Sequence, residues 1–248
     1  MKTRAWALLG AVVIVVGAST ASFGATATAF TSFAGEEEPT VRYTPASGTF
    51  ANDTYDNMTS PSSGVFRFYL RWNASVWDGD RNTTATDRQR AEVKGLGANQ
   101  LPNETYEYAH TWKTSRAGSG SFWHVFQLKA VDGDNDPPLV TDSIKAGSSA
   151  VVQYCSGTQA GLTAARSYTY TVNSFITTNV RIKASNTANG ELKASINGDA
   201  MSGVSALEMY RPSATQYRPK WGSYRSVNAT APYGDDTVEQ KTITANKK

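Results

Sequence analysis

Along most of this chain, apolar residues recur at every second position in short runs, and Gly, Asn, Asp or Pro closes nearly every run. A strand turns successive side chains to opposite faces, so this alternation suits a half-buried strand, whereas an amphipathic helix needs a period of about 3.6 residues. Past the first thirty residues no stretch sustains the helical period. The pattern predicts strands at Val65 to Trp72, Arg88 to Lys94, Thr105 to Trp112, Ser121 to Ala130, Ala150 to Tyr154, Ser167 to Val172, Asn179 to Ala184, Glu191 to Ile196 and Lys220 to Arg225. Many short strands with turn signals between them imply an all-β sandwich or jelly roll. Asn189-Gly190 and Asn197-Gly198 read as hairpin turns, because Asn and Gly tolerate the positive φ such turns require, and they bracket the strand Glu191 to Ile196. Residues 31–63 lack long apolar runs and read as an extended lead-in over the surface.

The opening residues follow a different logic. Lys2 and Arg4 precede fourteen apolar or small residues from Ala5 to Ala18, and small residues follow around Ala25-Thr26-Ala27. A membrane-crossing helix needs roughly 20 apolar residues, so the run reads as a secretory signal peptide over residues 1–27. A secreted, extracellular product is expected, with residues 28–248 forming one domain, monomeric and free of the membrane once the leader is removed. The chain carries 24 Lys and Arg against 21 Asp and Glu, and loss of Lys2 and Arg4 leaves 22 against 21. Such a balance offers no electrostatic footprint for nucleic acid. The single Cys155 can form no internal disulfide, so an ordinary hydrophobic core must hold the fold. Asn-x-Ser/Thr sequons at Asn52, Asn57, Asn73, Asn82, Asn103 and Asn228 are glycan acceptors if the host is a eukaryote.

On a β chain the chemistry must be sought on strand faces. Arg88, Arg90, Glu92 and Lys94 share one face, with Gln89, Ala91 and Val93 opposite. Its charges cancel as on a solvated face, but it would also suit a groove for an anionic chain, Glu92 holding the basic neighbours in place. In a regular strand, Gln127 and Lys129 would face one way with Trp123 and Val125, and His124 the other way with Phe126. His110 and His124 are the chain's two histidines, each a candidate general base. Arg218, Lys220, Gly222, Tyr224 and Ser226 form a third face. There Gly222 leaves room for something to approach the sheet, and Lys220 is placed to lower the pKa of Tyr224.

These three segments, in this order, resemble the jelly-roll polysaccharide lyases. That family carries an R-S/T-E-L-R strand, a Q-I-H strand and a Y-F-K-A-G-x-Y-x-Q strand, matched here by Arg90 to Lys94, Gln127 to Lys129, and Arg218 to Ser226. The resemblance spans roughly Arg88 to Ser226 and looks closer to the heparin-lyase-like and glucuronan-lyase-like branches than to true alginate lyases. It implies a concanavalin A-like antiparallel sandwich that cleaves an acidic, uronic-acid-containing polysaccharide by β-elimination. By that resemblance Arg90 and Gln127 neutralise the substrate carboxylate, and Tyr224 is the acid and a candidate base. Arg88, Glu92, Lys94, Lys129, Arg218 and Lys220 bind substrate, Lys220 doubling as a tuning cation. The family's catalytic histidine position is Lys129 here. A bulge could turn His124 inward, Tyr224 could act without a histidine, His110 could arrive from a neighbouring strand, or the protein could only bind sugar.

Other functions fit less well. A glycoside hydrolase needs two carboxylates about 5–10 Å apart, and no strand presents alternating acids. A non-catalytic carbohydrate-binding or cell-surface protein remains the alternative, since six Trp and twelve Tyr suit sugar stacking. No zinc-ligand spacing or phosphate-cradling glycine loop is present, and no cofactor is expected. Asp132, Asp134 and Asp136 alternate as in calcium loops, but without the glycine and distal glutamate in register, so a solvated acidic turn is the preferred reading.

Overall fold

The computed structural model describes residues 58–70, 88–226 and 234–248, apart from positions 63, 98, 120 and 158, and the backbone pairing of 32–35, 42–43, 50–51, 72–73 and 76–77. The leader and the sequons Asn52, Asn57, Asn82 and Asn228 lie outside these residues. Among the described residues there are strands and no helices: β1 (Ser32–Gly35), β2 (Arg42–Tyr43), β3 (Phe50–Ala51), β4 (Met58–Ser62), β5 (Val65–Leu70), β6 (Trp72–Asn73), β7 (Val76–Trp77), β8 (Arg88–Leu96), β9 (Thr105–Thr114), β10 (Trp123–Ala130), β11 (Val140–Ile144), β12 (Ser149–Tyr154), β13 (Thr163–Thr169), β14 (Ile176–Lys183), β15 (Ser185–Ile196), β16 (Ser202–Met209), β17 (Tyr217–Ser226) and β18 (Asp236–Lys247). They form a nine-stranded sheet in the order β13-β12-β11-β10-β17-β8-β1-β2-β3, a seven-stranded sheet in the order β16-β15-β14-β9-β18-β5-β4, and the small β6-β7 ribbon. The pairings within both large sheets are antiparallel, which gives the jelly-roll sandwich that the alternation implies.

The alternating side chains meet between the sheets. Phe66 and Phe68 of β5, Tyr108 and Trp112 of β9, Phe126 of β10 and Trp221 of β17 are all buried there. Tyr108 packs on Phe126 at 5.5 Å between ring centroids, and Phe126 on Trp221 at 5.6 Å. Aromatic rings of this size carry much of the apolar area that offsets chain entropy in a fold without disulfides.

Two readings of the sequence change. Asn197-Gly198 does turn β15 into β16, both residues having positive φ. Asn189-Gly190, however, lies inside β15 as a bulge, with the β15–β16 register shifting on either side of Gly190. A side chain at Gly190 would meet the Leu207 carbonyl at 2.5 Å, so the glycine serves close strand approach rather than a reversal. The 31–63 stretch is also more than a lead-in, since it supplies β1 beside β8 and β4 beside β5.

Polar groups also cross the layer between the sheets. Asp236 of β18 is 1% exposed and accepts hydrogen bonds from Thr114 Oγ1 (3.1 Å), Ser115 Oγ (3.2 Å) and Ser223 Oγ (3.3 Å). Burial pushes its carboxyl up to about 6, against the opposing pull of Arg225 and the three hydroxyls.

Two predictions follow from this frame. At Gly222, φ is +150° and a Cβ would sit 2.2 Å from the Ala91 carbonyl oxygen of β8. Gly222→Ala should therefore lower stability by about 2–4 kcal/mol in denaturant unfolding, and an unchanged midpoint would contradict the close approach. An unfolded Asp titrates near 3.9, so between about pH 4 and pH 6 folded Asp236 keeps a proton that the unfolded chain releases. Its contribution is complete below about pH 4 and is lost as pH rises through about 6, on the order of 3 kcal/mol in all. Asp236→Asn should remove that component from the pH dependence of the unfolding midpoint; parallel curves for variant and parent would refute it.

Candidate active site

The outer face of the nine-stranded sheet carries a groove of about 680 Å³. Its lining includes Arg88 and Arg90 from β8, Tyr224 from β17, His124 and Lys129 from β10, Phe122, Lys145 and Gln153. Four of its lining side chains are cationic, against the single carboxylate of Asp136, so the groove presents a net positive charge.

Strand register explains how these residues meet. Tyr224 of β17 lies opposite Arg90 of β8 on one side and His124 of β10 on the other, and His124 lies opposite Ser143 of β11. Arg90, Tyr224, His124 and Ser143 therefore form one row across four strands. The guanidinium of Arg90 sits 4.5 Å from the centre of the Tyr224 ring, and Arg88 Nη1 donates to Tyr224 Oη at 3.0 Å. The His124 and Tyr224 ring centroids are 5.8 Å apart, and Phe122 stacks on His124 at 5.0 Å.

His124 faces the groove because the ladder slips beside it. The pairs His124–Tyr224 and Phe126–Trp221 enclose Val125 on β10 but both Gly222 and Ser223 on β17. On the other flank, His124–Ser143 and Phe126–Asp142 leave Val125 without a partner on β11. Counting back from Gln127 in strict alternation turns His124 into the core; the irregularity reverses it, correcting the regular-strand expectation.

His124 Nδ1 lies 2.7 Å from Ser143 Oγ, which donates to Thr141 Oγ1 at 2.8 Å. With the serine proton spent on Thr141, the serine oxygen accepts from Nδ1–H, leaving Nε2 with a free lone pair. Burial, helped by Lys145 and Lys129, pushes His124 down to about 3, so the ring is neutral across the physiological range. Tyr224 is pushed up by burial, only partly offset by Arg90 and Arg88. Its phenol therefore holds its proton. Lys220 does not perform the tuning that the sequence suggested, because it lies four residues along β17 from Tyr224, opposite Lys94 and Gln127. Gly222, too, makes room for the backbone of β8 rather than for a ligand.

The remaining candidates divide. Lys129 reaches the groove wall, and burial with Lys220 and Arg90 nearby lowers its pKa. Gln127 and Glu92 are buried beneath the surface, where Gln127 Nε2 reaches across β17 to Glu92 Oε1 at 2.5 Å, and Glu92 also lies 3.8 Å from Arg90 Nε. Lys220 is buried, Lys94 and Arg218 are half-buried, and none of the three is among the groove-lining residues. His110 is in the inter-sheet core, its Nε2 3.3 Å from Asp142 Oδ2 and its ring 5.8 Å from Phe126, so it does not reach the groove.

The acidic turn splits its carboxylates. Asp132 accepts from Thr215, while Asp134 and the Asp136 carbonyl accept from the buried guanidinium of Arg211. The same guanidinium donates to Cys155 Sγ at 2.9 Å and to the Gln159 carbonyl at 3.0 Å. Among the described residues no three His, Cys, Asp or Glu side chains gather as a metal site. Sequence reasoning missed Phe122, Ser143, Lys145 and Gln153 as members of the site. Phe122 was hidden by the same phase error as His124, and Ser143 and Lys145 belong to a strand and hairpin that no clear alternation announces.

In sequence, the chain matches no family model and no curated protein. Its structure is similar to an endo-β-1,4-glucuronan lyase from the fungus Trichoderma reesei, with a TM-score of 0.59 and 14% identity over 75% of this chain and 82% of that one. It is also similar to alginate lyase A1-II′, a member of polysaccharide lyase family 7, with a TM-score of 0.57 and 17% identity over 78% and 84% of the two chains. A further alginate lyase gives 0.54 and 14% over 77% and 85%. The protein thus has the jelly-roll fold of these polysaccharide lyases.

Proposed function

We propose that the protein is a secreted polysaccharide lyase that cleaves a uronic-acid-containing polysaccharide by β-elimination. The observation that carries this reading is the row of Arg90, Tyr224 and His124 on the floor of a cationic groove. A uronate residue binds with its carboxylate against Arg90 and Arg88, whose charge acidifies the C5 proton. Neutral His124 takes that proton through Nε2. As electrons flow from the C5–H bond into a C4–C5 double bond, the C4–O bond breaks and Tyr224 gives its proton to the departing glycosidic oxygen. Imidazolium and phenolate are then left side by side, and proton return resets both. Enolate-like charge that develops on the substrate carboxylate during the elimination is met by guanidinium groups of the chain itself, so we read the step as metal-independent. Gln127, which the family resemblance makes a carboxylate neutraliser, supports Glu92 beneath Arg90 in this scheme. Export through the leader would bring the enzyme to such polymers outside the cell, acting as a monomer.

The test is to incubate the purified protein with alginate, glucuronan, pectate and heparin-type chains and follow the ultraviolet absorbance of unsaturated uronate ends. At least one should give product, and Tyr224→Phe should lower kcat by about 10²-fold or more while the fold is retained. Full activity in Tyr224→Phe would sink the mechanism. Binding without product, for every substrate, would favour the carbohydrate-binding alternative.

A pH profile tests the division of roles. An ordinary histidine base would lose activity as pH falls through about 6.5, but His124 stays unprotonated down to about 3. The acid limb of kcat/KM should therefore lie well below pH 6. Because Tyr224 is raised above its ordinary value, activity should persist into the alkaline range. A limb near the ordinary histidine value would show a solvated histidine instead.

A further inference from the structure

The slip that turns His124 into the groove lies at Val125 of β10 and at Gly222 and Ser223 of β17, and the carbonyl groups of Val125 and Gly222 meet a side chain in the layer between the sheets. Buried carbonyls without donors are costly, and apolar neighbours cannot supply them. The donor comes from the opposite sheet. Gln240 of β18, fully buried, gives Nε2 hydrogen bonds to the Val125 carbonyl at 2.7 Å and to the Gly222 carbonyl at 3.1 Å. Val125 and Gly222 are the residues at which β10 and β17 lose register, so one amide bridges both sides of the irregularity. Among the described residues Gln240 Oε1 has no hydrogen-bond partner, and the side chain makes its hydrogen bonds through Nε2. On the other side of the slip, Trp123 Nε1 donates to Ser223 Oγ at 2.9 Å, and Ser223 Oγ donates to Asp236.

We propose that Gln240 is a positioning residue: by holding the Val125 and Gly222 carbonyls from the opposite sheet, it fixes the strand slip that sets His124 beside Tyr224 and against Ser143. It touches no substrate and acts through the backbone beneath the site. The consequence for turnover rests on the β-elimination reading; the consequence for His124 rests on geometry alone.

Two variants test it. Gln240→Met keeps length and approximate volume but has no donor, and Gln240→Asn keeps the amide on a shorter arm as the milder companion. With nitrogen-15 histidine labelling, NMR reports the ring tautomers and titration of His110 and His124. In the parent, His124 should stay neutral with its proton on Nδ1 through pH 5, since its pKa lies near 3. In Gln240→Met the slip relaxes, so His124 should lose the single tautomer and titrate at higher pH, with His110 signals little changed. The kcat on the best polyuronate should fall at least tenfold with KM nearly unchanged, because Arg88 and Arg90 stay in place. Gln240→Asn should show smaller changes in the same direction. A purely structural role would lower the melting temperature without moving His124 signals or kcat. That pattern in either folded variant overturns the proposal. If the parent turns over no polyuronate, the lyase reading fails, and the His124 signals still decide the positioning role.

Discussion

In a two-layer β protein each strand residue has one binary choice, the dry space between the sheets or the outer face, and the pleat makes that choice alternate without exception unless the ladder slips. The arrangement of this protein depends on that constraint and on one local breach of it. Arg88, Arg90, Lys220 and Tyr224 obey the alternation and project outward, while Gln89, Val93, Trp221 and Arg225 obey it and lie inward. His124 reaches the outer face only because Val125 takes up the phase error. Had the strand been regular, an imidazole would lie against Phe126 in the core and the groove would hold cations and a phenol without a neutral base.

The breach affects the core as much as the groove. At the irregularity β18 reaches across the sandwich, Gln240 donating to the Val125 and Gly222 carbonyls while Asp236 anchors Ser223. The polar residues between the sheets thus belong to the same construction as the outer row, although none faces the groove. On the outer side, burial and charge act in opposite senses on neighbouring groups. They keep His124 deprotonated and Tyr224 protonated, which separates an acceptor from a donor within one pair of rings. Pushing the pKa values of adjacent groups apart in this way is how one environment holds both an acid and a base.

The sheet-forming segments were largely legible because alternation is a local property. Val65 to Leu70, Thr105 to Thr114 and Tyr217 to Ser226 carry it openly. Strand β11 reads Val-Thr-Asp-Ser-Ile, and its inward Asp142, paired with His110 and Tyr168, removes the apolar signal that would have marked it. Strand β16, mostly exposed, has no strong face to reveal. In the site, the β8 and β17 faces were readable by counting in twos, and so were Arg88, Arg90 and Tyr224. The side chosen by His124 was not, because a slip depends on the partners of β10 on both flanks, and no local pattern encodes it. Likewise, Gln127 and Lys220 carry the right chemistry in sequence, but only their burial in the fold shows that they lie away from the groove wall.

The guanidinium of Arg211 joins two segments that each border the groove. It contacts Asp134 and the Asp136 carbonyl before Pro137 and Pro138, and also the Cys155 sulfur and the Gln159 carbonyl just ahead of Ala160 and Leu162. Two banks pinned through a single rigid, planar cation cannot drift apart independently. The spacing of the two segments at that end of the groove is therefore tied to the span of one side chain.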